Sequence, residues 1–572
     1  MKQLQTDIAV IGAGPAGLAA ALEAKRLGVE KTLLLERDLE LGGILQQCIH
    51  DGFGIHRFGR RLSGSQYAQA FIDQVEASGI GVLTETMVLE VNAERRVFAC
   101  NKQDGILDIE CGAIILAMGC RERTAAQTLI YGDRPVGVLT AGAVQRYINM
   151  EGCLPGRTAV ILGSGDIGLI MARRMTLEGI EVKGVYEVME RPGGLTRNIV
   201  QCLDDFGIPL HLSETVTWVR GRDRVEAVTT VKVGPDRKPI PGTEREVLCD
   251  LLVLAVGLIP ENELSVKAGI ELDPRTKGPA LDSAYMTSVS GIFAAGNVAA
   301  VFDLVDYVSL SGEFAARGAS AFLKGELSAS GRDPVEAGEN VSFVTPQWVR
   351  RENFTGKTAF FLRVKEPAAA AELVCSTMGQ VRLKRRRRHA APPEMLSFEL
   401  EPAGALLVEM RQDEPSGGPG GQVPLAGRCG ADPRREGRVG AGLAPQVRDF
   451  PLSFEMICIV CPNSCRLTIA ENAGILRVTG NECPRGEKYG IQEYRAPTRM
   501  LTTTVAVSGG TLPRIPVISR EEIPKARLNQ CLQELYRIEL RAPIRCGDVI
   551  VNNICNTGVD VAASRSMKRK EG

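Results

Sequence analysis

The chain has 572 residues, with 68 basic and 68 acidic side chains, so its formal net charge at neutral pH is zero. That balance excludes bulk attraction to nucleic acid or to an anionic membrane, and a chain of this length is expected to divide into about three to four domains. The 16 cysteines, with an N-terminal apolar run too short to span a bilayer and no signal-peptide pattern, give the expectation of a cytoplasmic protein with metal or redox chemistry.

Along the chain, the apolar run Ile8-Ala9-Val10-Ile11 enters Gly12-Ala13-Gly14-Pro15-Ala16-Gly17, and Glu36 ends Leu33-Leu34-Leu35. A strand, a glycine turn, a helix and a later acid form a dinucleotide fingerprint. Gly12 permits the tight turn, Gly14 lets the backbone approach a pyrophosphate, and Gly17 lets helix and strand pack closely. The pyrophosphate sits at the helix N-terminus, where free N–H groups favour negative charge. Glu36 would accept hydrogen bonds from a ribose diol. The next strand signal, Ile114 to Met118, ends at Gly119.

The fingerprint then repeats. Val160-Ile161-Leu162 leads into Gly163-Ser164-Gly165-Asp166-Ile167-Gly168, and Glu187 stands 24 residues after Gly163, the offset of Glu36 from Gly12. A carboxylate at Glu187 repels a 2′-phosphate, which favours NADH over NADPH, with Lys183 and Arg191 as opposing cations nearby. Two dinucleotides on one chain imply a flavin paired with a nicotinamide. Thr229 to Val247 reads as two alternating strands around Gly234-Pro235-Asp236. Buried strands also read at Leu252 to Val256, ending at Gly257, and at Gly291 to Ala295, ending at Gly296-Asn297.

These signals give an α/β fold with two Rossmann-like dinucleotide-binding domains. Residues 1–148 and 276–326 form the first, and 149–275 form the second, inserted into it. Residues 340–411 read as a β-rich appendix with short runs such as Thr358 to Val364. Its Arg385 to Arg388 run reads as a solvated edge strand rather than a nucleic-acid site. Residues 412–452, rich in Gly, Pro and Arg, read as a flexible junction.

The last unit, 453–567, holds Cys458-x2-Cys461-x3-Cys465 and then Cys483. Three thiols in one loop and a fourth on a later turn suit a [4Fe–4S] cubane. Zinc, which takes four cysteines more often as two CxxC knuckles, stays as an alternative, as do a dithiol switch and unliganded cysteines. Scattered cysteines such as Cys202, Cys375 and Cys531 read as small core hydrophobes. Cys48, just after Gly42-Gly43, is the one candidate catalytic residue, able to line a flavin pocket with His50 and His56. No second cysteine stands near it and the second domain has no CxxC, so disulfide reduction is disfavoured.

Residues of about 5 to 325 resemble the FAD/NAD(P)-dependent oxidoreductases with two dinucleotide-binding domains. The resemblance implies FAD on Gly12, Gly14, Gly17, Glu36, Gly43, Gly119, Gly296 and Asn297, and NAD(H) on Gly163, Gly165, Gly168, Glu187 and Gly257. Asn297 stands where this superfamily usually has an aspartate for the flavin ribityl chain. Residues 41–50, 119–123 and 140–142 are similar to a bacterial subgroup that includes flavin subunits of opine oxidase and hydrogen cyanide synthase. Asp303 to Ser309 resembles flavoproteins of anaerobic glycerol 3-phosphate operons. Such proteins work beside a partner flavoenzyme. Residues 466–486 resemble the cluster segment of molybdopterin oxidoreductases, and 453–567 resemble a small domain encoded beside the glycerol-operon flavoproteins. The expected function is electron transfer between NAD(H) and a partner or acceptor through flavin and cluster, in either direction, with self-association open. The alternatives are a non-catalytic electron-transfer or scaffold component, and a direct amino or hydroxy acid oxidase using Arg121 or Arg123 to clamp a carboxylate.

Overall fold

The computed structural model describes residues 1–327, 331–350, 356–401, 404–412, 453–461, 464–472 and 474–570. Four parallel strands open the first sheet, in the order Gly81–Leu83, Thr32–Leu35, Lys2–Ile11 and Gly105–Leu116. The last of these is long enough to serve two partners. Its upper end, Ile114 to Leu116, pairs in parallel with Ile292–Ala294, while its lower end pairs antiparallel with Arg96–Asn101. Ile8, Ala9, Val10, Ile114, Ile115 and Leu116 are all fully buried, as strands covered on both faces must be. The helices Pro15–Arg26 and Val305–Leu323 cross so closely that a Cβ on Gly312 would lie 2.2 Å from the Ala16 carbonyl oxygen.

A second parallel sheet runs Val138–Thr140, Leu251–Leu254, Thr158–Leu162, Glu181–Glu187, Leu210–Leu212. Its first strand lies before residue 149, because Ala141, Val144 and Ile148 pack into this core with Ile161 and Val253. At the other end, Ala268 and Ile270 already pack into the first core, ahead of residue 276. The expected strand pair appears as Ala227–Lys232 against Arg245–Leu248.

From Arg332 the chain forms two β-sheets, one of five strands and one of three, around Phe360, Leu362, Leu373 and Cys375. Arg385 to Arg388 lie on the edge strand Gln380–Ala390, which is mostly exposed. A buried ion pair at 2.5 Å, Arg350 to Asp282, ties this unit to the first domain. The junction at 412–452 lies outside the described residues except for Gln412, which ends the strand Leu406–Gln412.

The described residues of 453–567 form two cores. A three-stranded meander, Ser453–Ile457, Arg466–Asn472 and Ile475–Thr479, packs with the helix Pro484–Arg495. The other is a five-stranded sheet backed by the helix Leu528–Leu535. Both dock on the dinucleotide domains through charged groups. Arg565, 2% exposed, donates to Glu40 at 2.7 Å and to Gln46 at 3.3 Å. The helix Gly64–Ser78, started by a Ser63–Gln66 capping box, adds a bond between Ser65 and Ser564. Arg499 forks Asp205 (2.7 and 3.0 Å) and Glu493 (2.6 and 2.8 Å), and Lys525 reaches Asp205 at 2.5 Å. Among the described residues, no helix is long and apolar enough to cross a membrane.

Burial alone would raise the Asp205 carboxyl, but hydrogen bonds from Arg499 and Lys525 outweigh it and hold it below the ordinary carboxylate range. A carboxylate lowered by folding stabilises above its unfolded value, about 4, and that contribution is lost as pH falls through the folded value. The melting transition of the C-terminal unit should therefore drop as pH is lowered from about 5 to 3. A transition independent of pH across that window would show that Asp205 carries no docking energy.

Candidate functional site

Both glycine loops have the same geometry. In the first, a Cβ on Gly12 would lie 2.5 Å from the Ala117 carbonyl oxygen, and one on Gly17 would lie 1.8 Å from the Gly12 oxygen. These two glycines set the turn and the helix packing. Gly14 is different: nothing stands within 4 Å of its Cβ position, although it directly N-caps the helix Pro15–Arg26. The second loop repeats this, with 2.2 Å at Gly163, 2.4 Å at Gly168 and open space at Gly165, which N-caps Asp166–Leu177. Each open glycine thus leaves room at a helix N-terminus, the chemistry a pyrophosphate requires.

The two acids are fixed in advance. Glu36, 6% exposed, accepts the Ala13 N–H at 2.8 Å and the Asp38 N–H at 2.9 Å. Glu187, 8% exposed, accepts the Ser164 N–H at 3.0 Å, the Ser164 hydroxyl at 2.6 Å and the Met189 N–H at 3.0 Å. Lys183 and Arg191 are engaged elsewhere, with Glu181 at 2.6 Å and Glu366 at 2.9 Å.

The other first-loop residues gather around this groove. A Cβ on Gly43 would stand 3.0 Å from Gly14 Cα, and one on Gly296 would stand 2.8 Å from Ala16 Cβ. Gly119 adjoins Cys120, whose Sγ accepts from Asn297 Nδ2 at 3.5 Å. Asn297 Oδ1 accepts the Phe302 N–H at 3.0 Å. Gly257 faces Arg123, whose Cδ is 3.9 Å from its Cβ position.

Cys48, the candidate catalytic residue, is 8% exposed, its Sγ faces the Gln145 amide oxygen at 3.8 Å, and burial pushes its thiol up to about 12. A thiol raised that far is protonated at neutral pH. His50 is half-buried, while the His56 backbone N–H donates to Asp306 at 3.2 Å. Arg121, named as a carboxylate clamp, is paired with Glu261 at 2.8 Å and Glu263 at 2.5 Å.

The four C-terminal cysteines lie within electrostatic reach of one another. Burial raises the Cys458 thiol to about 11, and Cys461, Cys465 and Cys483 add to the effect. The Cys458 N–H donates to the Cys465 carbonyl oxygen at 2.8 Å, closing the loop. Cys483 N-caps the helix Pro484–Arg495, and the Gly486 N–H and Arg485 lower its thiol. An all-sulfur donor set at a helix N-terminus fits a thiolate-held metal centre. Among the described residues, however, no three His, Cys, Asp or Glu side chains are close enough to form a metal site as they stand.

One contact had no signal in the sequence. The Arg197 N–H donates to Ser464 Oγ in the cysteine loop at 3.1 Å, and the Arg197 guanidinium lies 3.2 Å from the Cβ position of Gly52. This arginine therefore ties the second dinucleotide domain to the cysteine loop through its N–H, with its guanidinium beside Gly52 of the first.

Residues 6–313 match the model of the pyridine nucleotide-disulphide oxidoreductases, and 484–565 match DUF1667, a family described as proteins of unknown function. A subunit of the opine oxidase of Agrobacterium tumefaciens is 27% identical over 56% of this chain and 66% of its own length. The alpha subunit of the sarcosine oxidase of Rhizobium meliloti is 29% identical over 54% of this chain and 30% of its own. The chain thus spans about two thirds or less of these relatives. Thioredoxin reductase of T. acidophilum aligns at 23% identity and a TM-score of 0.47, over 55% of this chain and 98% of that one. With its paired glycine loops and a family match across more than half its length, the chain belongs to the pyridine nucleotide-disulphide oxidoreductase family.

Proposed function

We propose that the chain is an NADH-linked flavoprotein that exchanges electrons with a partner dehydrogenase, its four C-terminal cysteines holding a [4Fe–4S] cluster. The partner would oxidise a small amino or hydroxy acid or glycerol 3-phosphate. The observation that carries this reading is the Arg197 N–H bond to Ser464, which ties the cysteine loop to the second dinucleotide domain beside Gly52 of the first. When bound, the flavin and nicotinamide supply hydride chemistry and the cluster supplies single-electron transfer.

The chain's own residues bind and orient. The helix ends at Gly14 and Gly165 would take the two pyrophosphates, and Glu36 and Glu187 the two riboses. Asn297 would offer its amide to the ribityl chain. With Lys183 and Arg191 paired to acids, the Glu187 carboxylate stands without a compensating cation, which supports NADH over NADPH. Cys458, Cys461, Cys465 and Cys483 would be the cluster ligands. Hydride transfer needs no proton from a side chain, which agrees with a protonated, buried Cys48. The names of the relatives, each one component of an oxidase, support a partner enzyme.

The test is an anaerobic NADH titration of the purified protein, followed in the visible spectrum, with iron and acid-labile sulfide assayed on the same sample. Flavin should bleach at stoichiometric NADH and iron should approach four per chain, the content of one cubane. Cys461→Ser should lose most of the iron while keeping its FAD. Flavin inert to NADH, or zinc in place of iron, would overturn the corresponding half of the reading.

A further inference from the structure

Arg197 lies in the first turn of the helix Thr196–Cys202, on the second dinucleotide domain. Its backbone N–H goes to Ser464 Oγ at 3.1 Å. Ser464 stands one residue before Cys465, with a left-handed backbone at φ 48°. The main chain of Arg197 is thereby fixed against the loop that carries three of the four C-terminal thiols. That tie needs no side chain, and any residue but proline could make it.

The guanidinium therefore serves another purpose. Arg197 is 8% exposed and its Nε is buried without a partner. Among the described residues its side chain takes part in no hydrogen bond or ion pair. It packs on the strand Asp51–Phe53, with Nη2 3.2 Å from the Cβ position of Gly52. Other charges act on it from further off: Arg61 opposes it, while Asp166, Asp51 and Cys461 favour it. Asp51 is itself paired with Arg61, which also reaches Glu522 at 2.9 Å. Asp166 accepts from the Leu195 N–H and from Asn198, each at 2.8 Å. Burial lowers the guanidinium, yet an arginine stays protonated in a protein. A cation held this way brings positive charge and unused N–H donors to the edge of a thiol cluster. Net charge and hydrogen bonds around the sulfurs are what set a cluster's potential.

We propose that Arg197 sets the reduction potential of the four-cysteine centre, its positive charge favouring the reduced state. The proposal rests on the cluster reading above and goes beyond it by assigning this control to a residue outside the C-terminal unit. The step concerned is the uptake of one electron, with no bond made or broken. The fuller negative charge of the reduced centre is the one that the guanidinium stabilises. Because Arg197 belongs to the second dinucleotide domain, the potential would depend on docking. A cysteine unit lifted away from Arg197 would become a poorer electron acceptor.

The experiment begins with iron and acid-labile sulfide in the parent. A parent without iron overturns the cluster reading and this proposal with it. In an iron-loaded parent, an anaerobic redox titration followed by the electron paramagnetic resonance of the reduced centre gives the midpoint potential. Arg197→Met keeps the stem and the backbone bond to Ser464 and removes the charge. Removing one charge from an interior of effective dielectric about 20 changes a nearby one-electron equilibrium roughly tenfold, so the midpoint should fall by about 60 mV. Arg197→Lys, which keeps a charge, should recover most of that fall. An Arg197→Met midpoint equal to the parent's at equal iron overturns the proposal and leaves the cluster reading standing. So does an Arg197→Lys midpoint as low as that of Arg197→Met. If Arg197→Met takes up no iron, loading decides: Arg197→Lys filled like the parent supports the proposal, and Arg197→Lys equally empty overturns it.

Discussion

Gly165→Val is expected to leave a folded, FAD-loaded protein whose reduction by NADH is slower by about two orders of magnitude. The reason is where the new atoms go. Among the described residues nothing lies within 4 Å of the Cβ position at Gly165, so an added Cβ meets no protein atom there and the valine extends toward the volume that a pyrophosphate would occupy. Losing two charge-assisted bonds to that group costs about 3 kcal/mol, which is about a hundredfold in rate or affinity. Stopped-flow reduction at sub-saturating NADH, with bound FAD measured by absorbance, checks both halves. Gly168→Val is the contrast, because its Cβ would lie 2.4 Å from the Gly163 carbonyl oxygen and must disturb the fold itself. If Gly165→Val is reduced at the parent rate, the nicotinamide nucleotide does not bind at this loop.

The largest stability effect is expected from Arg499→Met. Arg499 is 4% exposed and carries four hydrogen bonds to two carboxylates, Asp205 on the second dinucleotide domain and Glu493 on the helix Pro484–Arg495. Without it, those carboxylates face each other with only Lys525 left on Asp205. Breaking a buried pair by removing one partner costs about 3–5 kcal/mol. The expected result is an early melting transition confined to the C-terminal unit, with the flavin domain unchanged. Adding Asp205→Asn and Glu493→Gln to Arg499→Met should recover part of the loss, since the unpaired charges are then gone. A triple variant no more stable than the single one would show that the arginine acts by packing rather than by charge.

These effects were legible in the sequence to different degrees. Gly12, Gly14 and Gly17, with Gly163, Gly165 and Gly168, could be read because each loop's chemistry lies within one strand, one turn and one helix. The edge strand carrying Arg385 to Arg388 was legible for the same reason. The strand Val138–Thr140 was not placed in the second sheet, because three residues carry too little periodicity to name their neighbours. The distance of Cys48 from Gly42-Gly43 could be read, but its burial under Gln145 and the helix start at Gly64 could not, because both arrive from elsewhere in the fold. The docking pairs Arg565–Glu40, Arg499–Asp205 and Arg197–Ser464 join residues hundreds of positions apart. An exposed-looking arginine in a sequence carries no sign of which distant carboxylate will cover it.

Of the three side chains by which the two glycine loops differ, the first, Ala13 against Ser164, would separate a tenant from a visitor. Ser164 gives its hydroxyl to Glu187 and accepts the Gly193 N–H at 2.8 Å, whereas its counterpart, Ala13, offers Glu36 only a backbone N–H. One lone pair of Glu187 is therefore spent inside the protein that on Glu36 remains for an incoming ribose. A nucleotide bound at the second loop would be held with one acceptor fewer and would leave sooner. Residence time, rather than shape, distinguishes a cofactor that stays through many turnovers from one that must depart after each.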